Sequence, residues 1–333
     1  HIDSDHISGA IPLLKNNEKH FINIKEVWHN SFRHLINQCG SQRSVTVENE
    51  KILKRILARG YSNNGYKNGE SEISAMQGST LGALLLKGNY SWNSDFENKA
   101  VCIENKQIIA IDPDSKIVLL SPDKKKLDDL KKLWNKELNK YDLNYSDTLG
   151  KYDDALEMLL TWIKEEQVNN TMQISSSRKT IEELSSAVPL EDKSPVNGSS
   201  ISFVLEINKK KMLFLSDSHP GLILKSLSAY EPEGVIFFDS IKVSHHGSFN
   251  NISIALLQKI DSQIYIFSTN GSKHNHPDKE TIAHIVARKS KFERKLYFNY
   301  MTANSEFFNN VNWMRIYNYS IHYLGTLDYK INL

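Results

Sequence analysis

The stretch ISFVLEINKKKMLFLSDSHP, residues 201–220, contains the pattern that decides the fold. Two apolar runs, ISFVLEI and MLFLS, flank a short polar turn, which predicts two adjacent β-strands. A helix is predicted over 222–230, followed by the strand IKVS, a helix near 252–260, the strand IYIFS and a helix over about 278–290. Strands that alternate with helices of this length indicate a layered α/β architecture.

Chemically reactive side chains follow three of these predicted strands. The segments are SDSHP (216–220), SHHGS (244–248) and STNGSKHNHP (268–277). In α/β folds, binding sites lie at the ends of strands and in the loops that follow them. We therefore expect the functional site among these three loops.

The opening residues, HIDSDH (1–6), place two imidazoles and two carboxylates within six positions. Ile7, Ile11 and Leu14 follow at helical spacing, so we expect the cluster on a loop that runs into a helix. Imidazole nitrogen and carboxylate oxygen are the ligands of hydrolytic zinc or manganese centres that lack thiolates. The alternatives are a merely polar terminus here, and a helix-capping role for Asp217 taken alone.

Composition restricts the class of protein. The 333 residues carry a formal net charge of +2, so no whole-molecule field drives the chain onto nucleic acid or an anionic membrane. Only Cys39 and Cys102 occur, far apart, which fits a reducing compartment and excludes a cysteine-based zinc site. No run of about 18 apolar residues is present, so we expect a cytoplasmic protein without a membrane segment.

The combined motifs resemble the metallo-β-lactamase superfamily, whose signature is HxHxDH at a strand-to-helix loop, a later Asp at a strand end and a His in a later loop. This chain has the variant HxDxDH at 1–6, then Asp217 in FLSDSHP and HHGS at 245–248. Together with NGSSISFVLEI and the final HNHP, the variant is similar to the metallo-β-lactamase domain of ComEC-type competence proteins and their free-standing cytoplasmic relatives. The resemblance covers 1–14 and about 112–290.

The resemblance implies a centre of two divalent ions, zinc or alternatively manganese, because a carboxylate replaces an imidazole and makes the site harder. In the loop 244–248, His246 is preferred to His245 as the ligand because it directly precedes a glycine, as in the HG motif of the superfamily. The implied ligands are His1 and Asp3 for one ion, Asp5, His6 and His246 for the other, and Asp217 as the bridge between both.

Further roles follow from the same resemblance. Asp5, His245 and His276 are expected to take part in catalysis, with His276 donating to a phosphate oxygen or to the leaving group. The alternative for His276 is a structural partner of the helix after Pro277. Substrate contacts are expected from Asn197, His219 and Lys273, although His219 equally suits ligation or loop capping.

The expected function is hydrolysis of a phosphodiester, as a phosphodiesterase or nuclease, by a hydroxide bound between two metal ions. The superfamily has many substrates, and the HxDxDH and HHGS combination resembles members that act on DNA or phosphoesters. The alternative is a weakly active or non-catalytic module of a multiprotein system, such as anti-phage defence, with protein partners bound through the insertion.

The expected fold is an αββα four-layer sandwich, in which the strands that normally precede the first motif are missing. A start at His1 instead of Met predicts a longer natural chain, and we expect these residues to fold poorly alone. The expected organisation is a hydrolase domain over 1–14 and 112–300, a subfamily insertion over 15–111, a flexible Ser-rich excursion over 169–199 and C-terminal strands over 301–333.

Overall fold

The structure is a computed structural model that describes residues 4–17, 21–35, 80–139, 157, 179–272, 274–325 and 330–331. The chain divides into two compact units. The first comprises His1–Val101 and Lys124–Thr171, and the second comprises Cys102–Asp123 and Met172–Leu333. Residues 1–14 therefore group with the first unit and not with 112–300, which differs from the expected domain organisation.

The first unit contains α1 (Ser4–Asn16), α2 (Phe32–Leu35), α3 (Leu81–Lys87) and α4 (Lys124–Asn139). Helix α1 buries Ile7, Ile11 and Leu14, as their spacing predicted, and packs on α3. This packing explains why 1–14 belongs to the first unit. Because α1 begins at Ser4, Asp5 and His6 lie in its first turn, so at these two positions the expected loop has already run into the helix.

Helix α4 is amphipathic and carries a run of lysines near its start. It buries Leu127, Leu130 and Trp134, and the Trp134 ring meets Phe32 of α2 edge to face, with 5.8 Å between ring centroids. Its lysines lie on the half-buried and exposed faces of the helix. The lysine run is therefore the solvated side of this helix.

The second unit is built on a mixed sheet of eight strands in the order β1-β2-β3-β4-β6-β8-β9-β10, with β5 and β7 forming a separate parallel pair. Neighbours from β1 to β4 are antiparallel, and neighbours from β4 to β10 are parallel. The strands are β1 (Ile108–Asp112), β2 (Ser115–Ser121), β3 (Ser202–Ile207), β4 (Lys210–Phe214), β5 (Ile236–Phe238), β6 (Ser240–Lys242), β7 (Ile260–Ser262), β8 (Ile264–Phe267), β9 (Arg294–Phe298) and β10 (Tyr319–Tyr323).

Helices of the second unit cover this sheet and complete its core. Three of them confirm the helices predicted over 222–230, 252–260 and 278–290. The central strands bury Leu213, Ile241 and Phe267 against them. The helices are α5 (Ile181–Ser185), α6 (Pro195–Gly198), α7 (Pro220–Tyr230), α8 (Ile254–Lys259), α9 (Lys279–Val286), α10 (Ala303–Phe307) and α11 (Val311–Tyr317).

Three expected boundaries require correction. Residues 179–199 do not belong to a flexible excursion, because α5 buries Ile181 and Leu184 in the core of the second unit. Residues 108–111 belong to strand β1 and not to an insertion. The region after residue 301 contributes α10 and α11 as well as β10, so it is not made of strands alone.

The described residues form a mixed α/β fold with one large mixed sheet. The more specific expectation, an αββα four-layer sandwich, stays a prediction. No helix in the part of the chain that the structure describes is long and apolar enough to cross a membrane.

Candidate functional site

Three loops meet at one edge of the large sheet. Strands β4, β6 and β8 are parallel neighbours, so their carboxyl ends lie on the same side. The loops that follow them, 215–219, 243–248 and 268–278, carry Asp217, the pair His245 and His246, and His276. We call this the three-loop edge; the three polar segments lie together there, as expected, and their role as the functional site stays a prediction.

The backbone at the three-loop edge turns sharply. Ser216, His245 and His246 have φ values of 46°, 41° and 57°, in the left-handed region that non-glycine residues seldom adopt. The His245 N–H donates to the Ser216 carbonyl at 2.9 Å, and the Ser244 hydroxyl donates to the same oxygen at 2.8 Å. These bonds hold the first two loops together and compensate for the strained conformations.

Asp217 and His245 face each other at the centre of the edge. Asp217 is 1% exposed, and its Oδ2 lies 3.5 Å from Nε2 of His245. Nδ1 of His245 lies 2.6 Å from Oδ1 of Asn251, whose Nδ2 donates to the Asp192 carboxylate at 2.9 Å and to the Asp217 carbonyl at 3.1 Å. Both of those partners only accept, so Asn251 presents its oxygen to His245, and Nδ1 of His245 carries the hydrogen.

This tautomer determines what lies between His245 and Asp217. A neutral imidazole with hydrogen on Nδ1 directs the Nε2 lone pair at the carboxylate, and two acceptors repel each other. A cation removes the repulsion, either as a proton on Nε2 or as a metal ion bound by both atoms. Two ligand atoms of one tetrahedral zinc ion are roughly 3.4 Å apart, which agrees with the observed 3.5 Å.

Two further histidines of the edge, His246 and His276, have the same tautomer. Nδ1 of His246 lies 2.5 Å from the Ser268 carbonyl, and Nδ1 of His276 lies 3.0 Å from Oδ1 of Asp278. Both partners accept, so each Nδ1 is the donor. A carbonyl or carboxylate behind the imidazole is the usual arrangement around metal-bound histidines, because it leaves Nε2 as the ligand atom.

The imidazole rings form a continuous row. Ring centroids are 6.0 Å apart for His245 and His246, 5.7 Å for His245 and His276, and 5.6 Å for His276 and His274. His274 is exposed, whereas His276 is half-buried. The row therefore leads from buried Asp217 to the surface.

The donor atoms of the three-loop edge fit a divalent metal ion, since a buried carboxylate and an imidazole converge on one point. Among the described residues, however, no group of three or more His, Cys, Asp and Glu side chains is arranged to hold a metal. His1 and Asp3 lie outside those residues, as does the side chain of Asp5. His6 lies in α1 of the first unit. The implied ligand set is therefore still a prediction.

Lys242, at the end of β6, adds positive charge to the edge. Burial lowers its pKa to about 8, and the negative charge of Asp217 opposes that decrease. Its ammonium donates to the Val243 carbonyl at 3.1 Å. The sequence interpretation missed this residue, although a lysine inside the otherwise apolar run IKVS is a signal that marks it.

Two predicted substrate contacts have structural partners instead. Asn197 is 3% exposed and donates to the Asp192 carboxylate at 2.5 Å. Nε2 of His219 lies 3.0 Å from the Ser194 carbonyl, and a Cβ at Gly198 would be 2.8 Å from the imidazole Cε1. This geometry favours the alternative in which His219 caps the loop through Ser194. Lys273 lies outside the described residues.

Asp192 was missed because it lies in the segment interpreted as an excursion. It connects Asn197 to Asn251, and Asn251 connects to His245. The site thus includes a side chain that only the folded chain brings near the three-loop edge. Comparison of the chain with protein-family models, with curated proteins and with solved structures finds no match.

Proposed function

We propose that this chain is a metal-dependent hydrolase of the metallo-β-lactamase superfamily, with its αββα sandwich, that cleaves phosphodiester bonds as a cytoplasmic phosphodiesterase or nuclease. The observation that carries the proposal is the facing pair of buried Asp217 and half-buried His245, 3.5 Å apart at the carboxyl ends of parallel strands. The HxDxDH and HHGS motifs support the choice of superfamily and substrate.

Within the second unit, the residues proposed to hold zinc or manganese are Asp217 and His246. We add His245 to this set because Asp217 contacts it directly. When bound, the ions would lower the pKa of a water molecule and neutralise charge on the phosphoryl group. Asn251 and Ser268 orient the two imidazoles by accepting their Nδ1 hydrogens.

His276 is proposed to supply the proton for the leaving oxygen. Its Nδ1 lies 3.0 Å from the Asp278 carboxylate, which accepts the Nδ1 hydrogen and leaves Nε2 as the atom that would carry the transferred proton. Asp278 is itself fixed, because its Oδ2 accepts the Phe249 N–H at 2.7 Å and its N–H donates to the Gly247 carbonyl at 3.0 Å. Nε2 of His276 is thereby held at a defined position beside His245.

Metal content and hydrolysis test the proposal together. The full chain, loaded with Zn²⁺ or Mn²⁺, is assayed against bis-p-nitrophenyl phosphate, linear DNA, RNA and cyclic dinucleotides. Asp217→Asn should lose bound metal and at least about 100-fold in turnover. Asp114→Asn, on an exposed turn at the opposite edge of the sheet, is the matched control. His276→Gln should lower kcat by about 100-fold with metal content unchanged.

Several results would contradict the proposal. One is a wild-type protein that binds less than one ion per chain, and another is an Asp217→Asn variant that keeps full turnover. A non-catalytic module would show no turnover at all, and partner binding would survive Asp217→Asn. That outcome would favour the alternative, in which the chain is a non-catalytic component of a multiprotein system.

A further inference from the structure

The carboxylate of Asp192 accepts three hydrogen bonds from neighbouring residues. Its Oδ1 accepts the Ser194 N–H at 2.8 Å, and its Oδ2 accepts Nδ2 of Asn197 at 2.5 Å and Nδ2 of Asn251 at 2.9 Å. Its own N–H donates to the Asn250 carbonyl at 3.0 Å, which ties the segment before α6 to the loop before α8. Each oxygen of the carboxylate is therefore used as an acceptor.

This arrangement determines which way the Asn251 amide points. Asn251 is 1% exposed, so water does not compensate for an unfavourable orientation. If the amide were rotated by half a turn, its oxygen would face the Asp192 carboxylate and the Asp217 carbonyl, and its NH₂ would face His245. Acceptors would then face acceptors at two contacts, which in a buried site is costly.

We propose that Asp192 is a positioning residue that acts through Asn251 to keep His245 in the tautomer with hydrogen on Nδ1, so that Nε2 faces Asp217. The tautomer is a property of the fold and does not depend on the proposed function. Its effect on turnover does rest on the proposed function.

The ionisation of Asp192 agrees with this role. Burial raises the pKa of its carboxyl, but the hydrogen bonds from Asn197, Ser194 and Asn251, with His219 nearby, outweigh burial and hold the pKa below its ordinary value. The side chain is therefore a carboxylate, with no hydrogen to donate, at neutral pH. Asn251 meets a pure acceptor throughout the neutral range.

Asp192→Asn is the informative change because it keeps the shape and replaces one oxygen by NH₂. In one orientation that NH₂ faces the Ser194 N–H, and in the other it faces the amides of Asn197 and Asn251. Donors oppose donors in both orientations, but only in the second does rotation of the Asn251 amide relieve the conflict, so the variant should populate both orientations of Asn251. Asn197→Ala is the matched control, since it removes another donor to Asp192 but leaves the contact with Asn251.

Nitrogen NMR of the full chain labelled with ¹⁵N-histidine measures the tautomer, with His245 assigned by loss of its signals in His245→Gln. At pH 9, well above the ordinary imidazole pKa, and with or without Zn²⁺, wild type and Asn197→Ala should show hydrogen on Nδ1 of His245. Asp192→Asn should show a substantial population with hydrogen on Nε2 in the metal-free protein. With bis-p-nitrophenyl phosphate, its kcat should fall by about 10- to 100-fold with KM little changed.

The proposal is overturned if wild-type His245 carries hydrogen on Nε2 and none on Nδ1, a result that needs no variant to fold. It is also overturned if folded Asp192→Asn keeps the wild-type tautomer, or if Asn197→Ala changes the tautomer as much. If no protein hydrolyses any substrate but the tautomers behave as expected, the proposed function fails and the role of Asp192 stands.

Discussion

At Gly247 the second and third loops of the three-loop edge pack closely against each other. Its φ is +91°, and a Cβ there would lie 2.4 Å from Cβ and 3.0 Å from Cα of Pro277. Pro277 cannot retreat easily, because Asp278 beside it donates to the Gly247 carbonyl at 3.0 Å. The glycine after His246 therefore permits both the turn and the close approach of the third loop.

Gly247→Ala should lower the free energy of unfolding by about 3 kcal/mol, through positive φ and overpacking together. Gly234→Ala is the control, because Gly234 has φ +67° but no atom lies within 4 Å of the position that its Cβ would take. That variant should lose only about 1 kcal/mol. Urea unfolding of both variants gives the difference, and equal losses would contradict the packing explanation.

At the scale of elements, a buried ionic network joins the amino ends of three strands on the edge opposite the site. Asp261 of β7 accepts Nη2 of Arg294 at 2.7 Å and the Tyr265 hydroxyl at 2.9 Å, and Arg288 lies 3.2 Å away. The Arg294 side chain is fully buried, and that of Asp261 is 11% exposed. This network fixes β7, β8 and β9 relative to α9.

Asp261→Asn should lower the free energy of unfolding by about 3 kcal/mol at pH 7, because it leaves the Arg294 charge buried without its partner. Burial raises the pKa of Asp261, but Arg294 and Arg288 outweigh it and hold the pKa below its ordinary value. The stabilisation is therefore complete above the ordinary carboxyl pKa, about 3.9, and is lost as pH falls through the lowered value.

Urea unfolding at pH 7 and near pH 3 measures this dependence, with exposed Asp114→Asn as the control. The difference between wild type and Asp261→Asn should shrink at the lower pH. A difference that is constant with pH would show that the carboxylate charge is not what stabilises these strands.

The elements differ in how far the sequence predicts them. Apolar runs such as IYIFS predict β8, but β5 and β7 have three residues each and are separated from the next strand by Asp239 and Gln263 alone. Helix α5 lies in a polar, Ser-rich segment whose composition is typical of a loop. Thr180 and Glu183 nevertheless form a capping box that marks the start of this helix. The tautomer of His245 follows from Asp192, whose proximity depends on tertiary packing and leaves no local pattern.

On the scale of the whole molecule, the two units differ in their histidines. In the first unit burial lowers the pKa of His29 to about 3, with a further decrease from His34. Burial, with Arg33 alongside, also lowers the pKa of His34 to about 3. His29 is 5% exposed and stacks on Trp92 at 5.7 Å between ring centroids, so it is a core residue of the first unit.

As the pH is lowered, the first unit should therefore lose stability at a higher pH than the second unit. Both histidines are neutral when folded and take up protons when unfolded, so their contribution is complete above the ordinary pKa of 6.5 and is lost as pH falls toward 3. As the pH falls from 6.5 to 5, each histidine lowers the free energy of unfolding by about 2 kcal/mol. In the second unit burial also lowers the pKa of His284 and His322, but Glu280 and Glu293 oppose the decrease.

Hydrogen exchange at pH 7 and pH 5, corrected for the intrinsic exchange rate, should show protection lost first in α1, α3 and α4. His29→Phe keeps a flat ring against Trp92 but cannot take up a proton, so it should retain about half of the protection that wild type loses in these helices. Because the same two pH values leave Asp261 ionised, β7 to β9 should stay protected throughout. Equal loss in both units, or an acid response unchanged by His29→Phe, would mean that these histidines do not set the acid stability of the first unit.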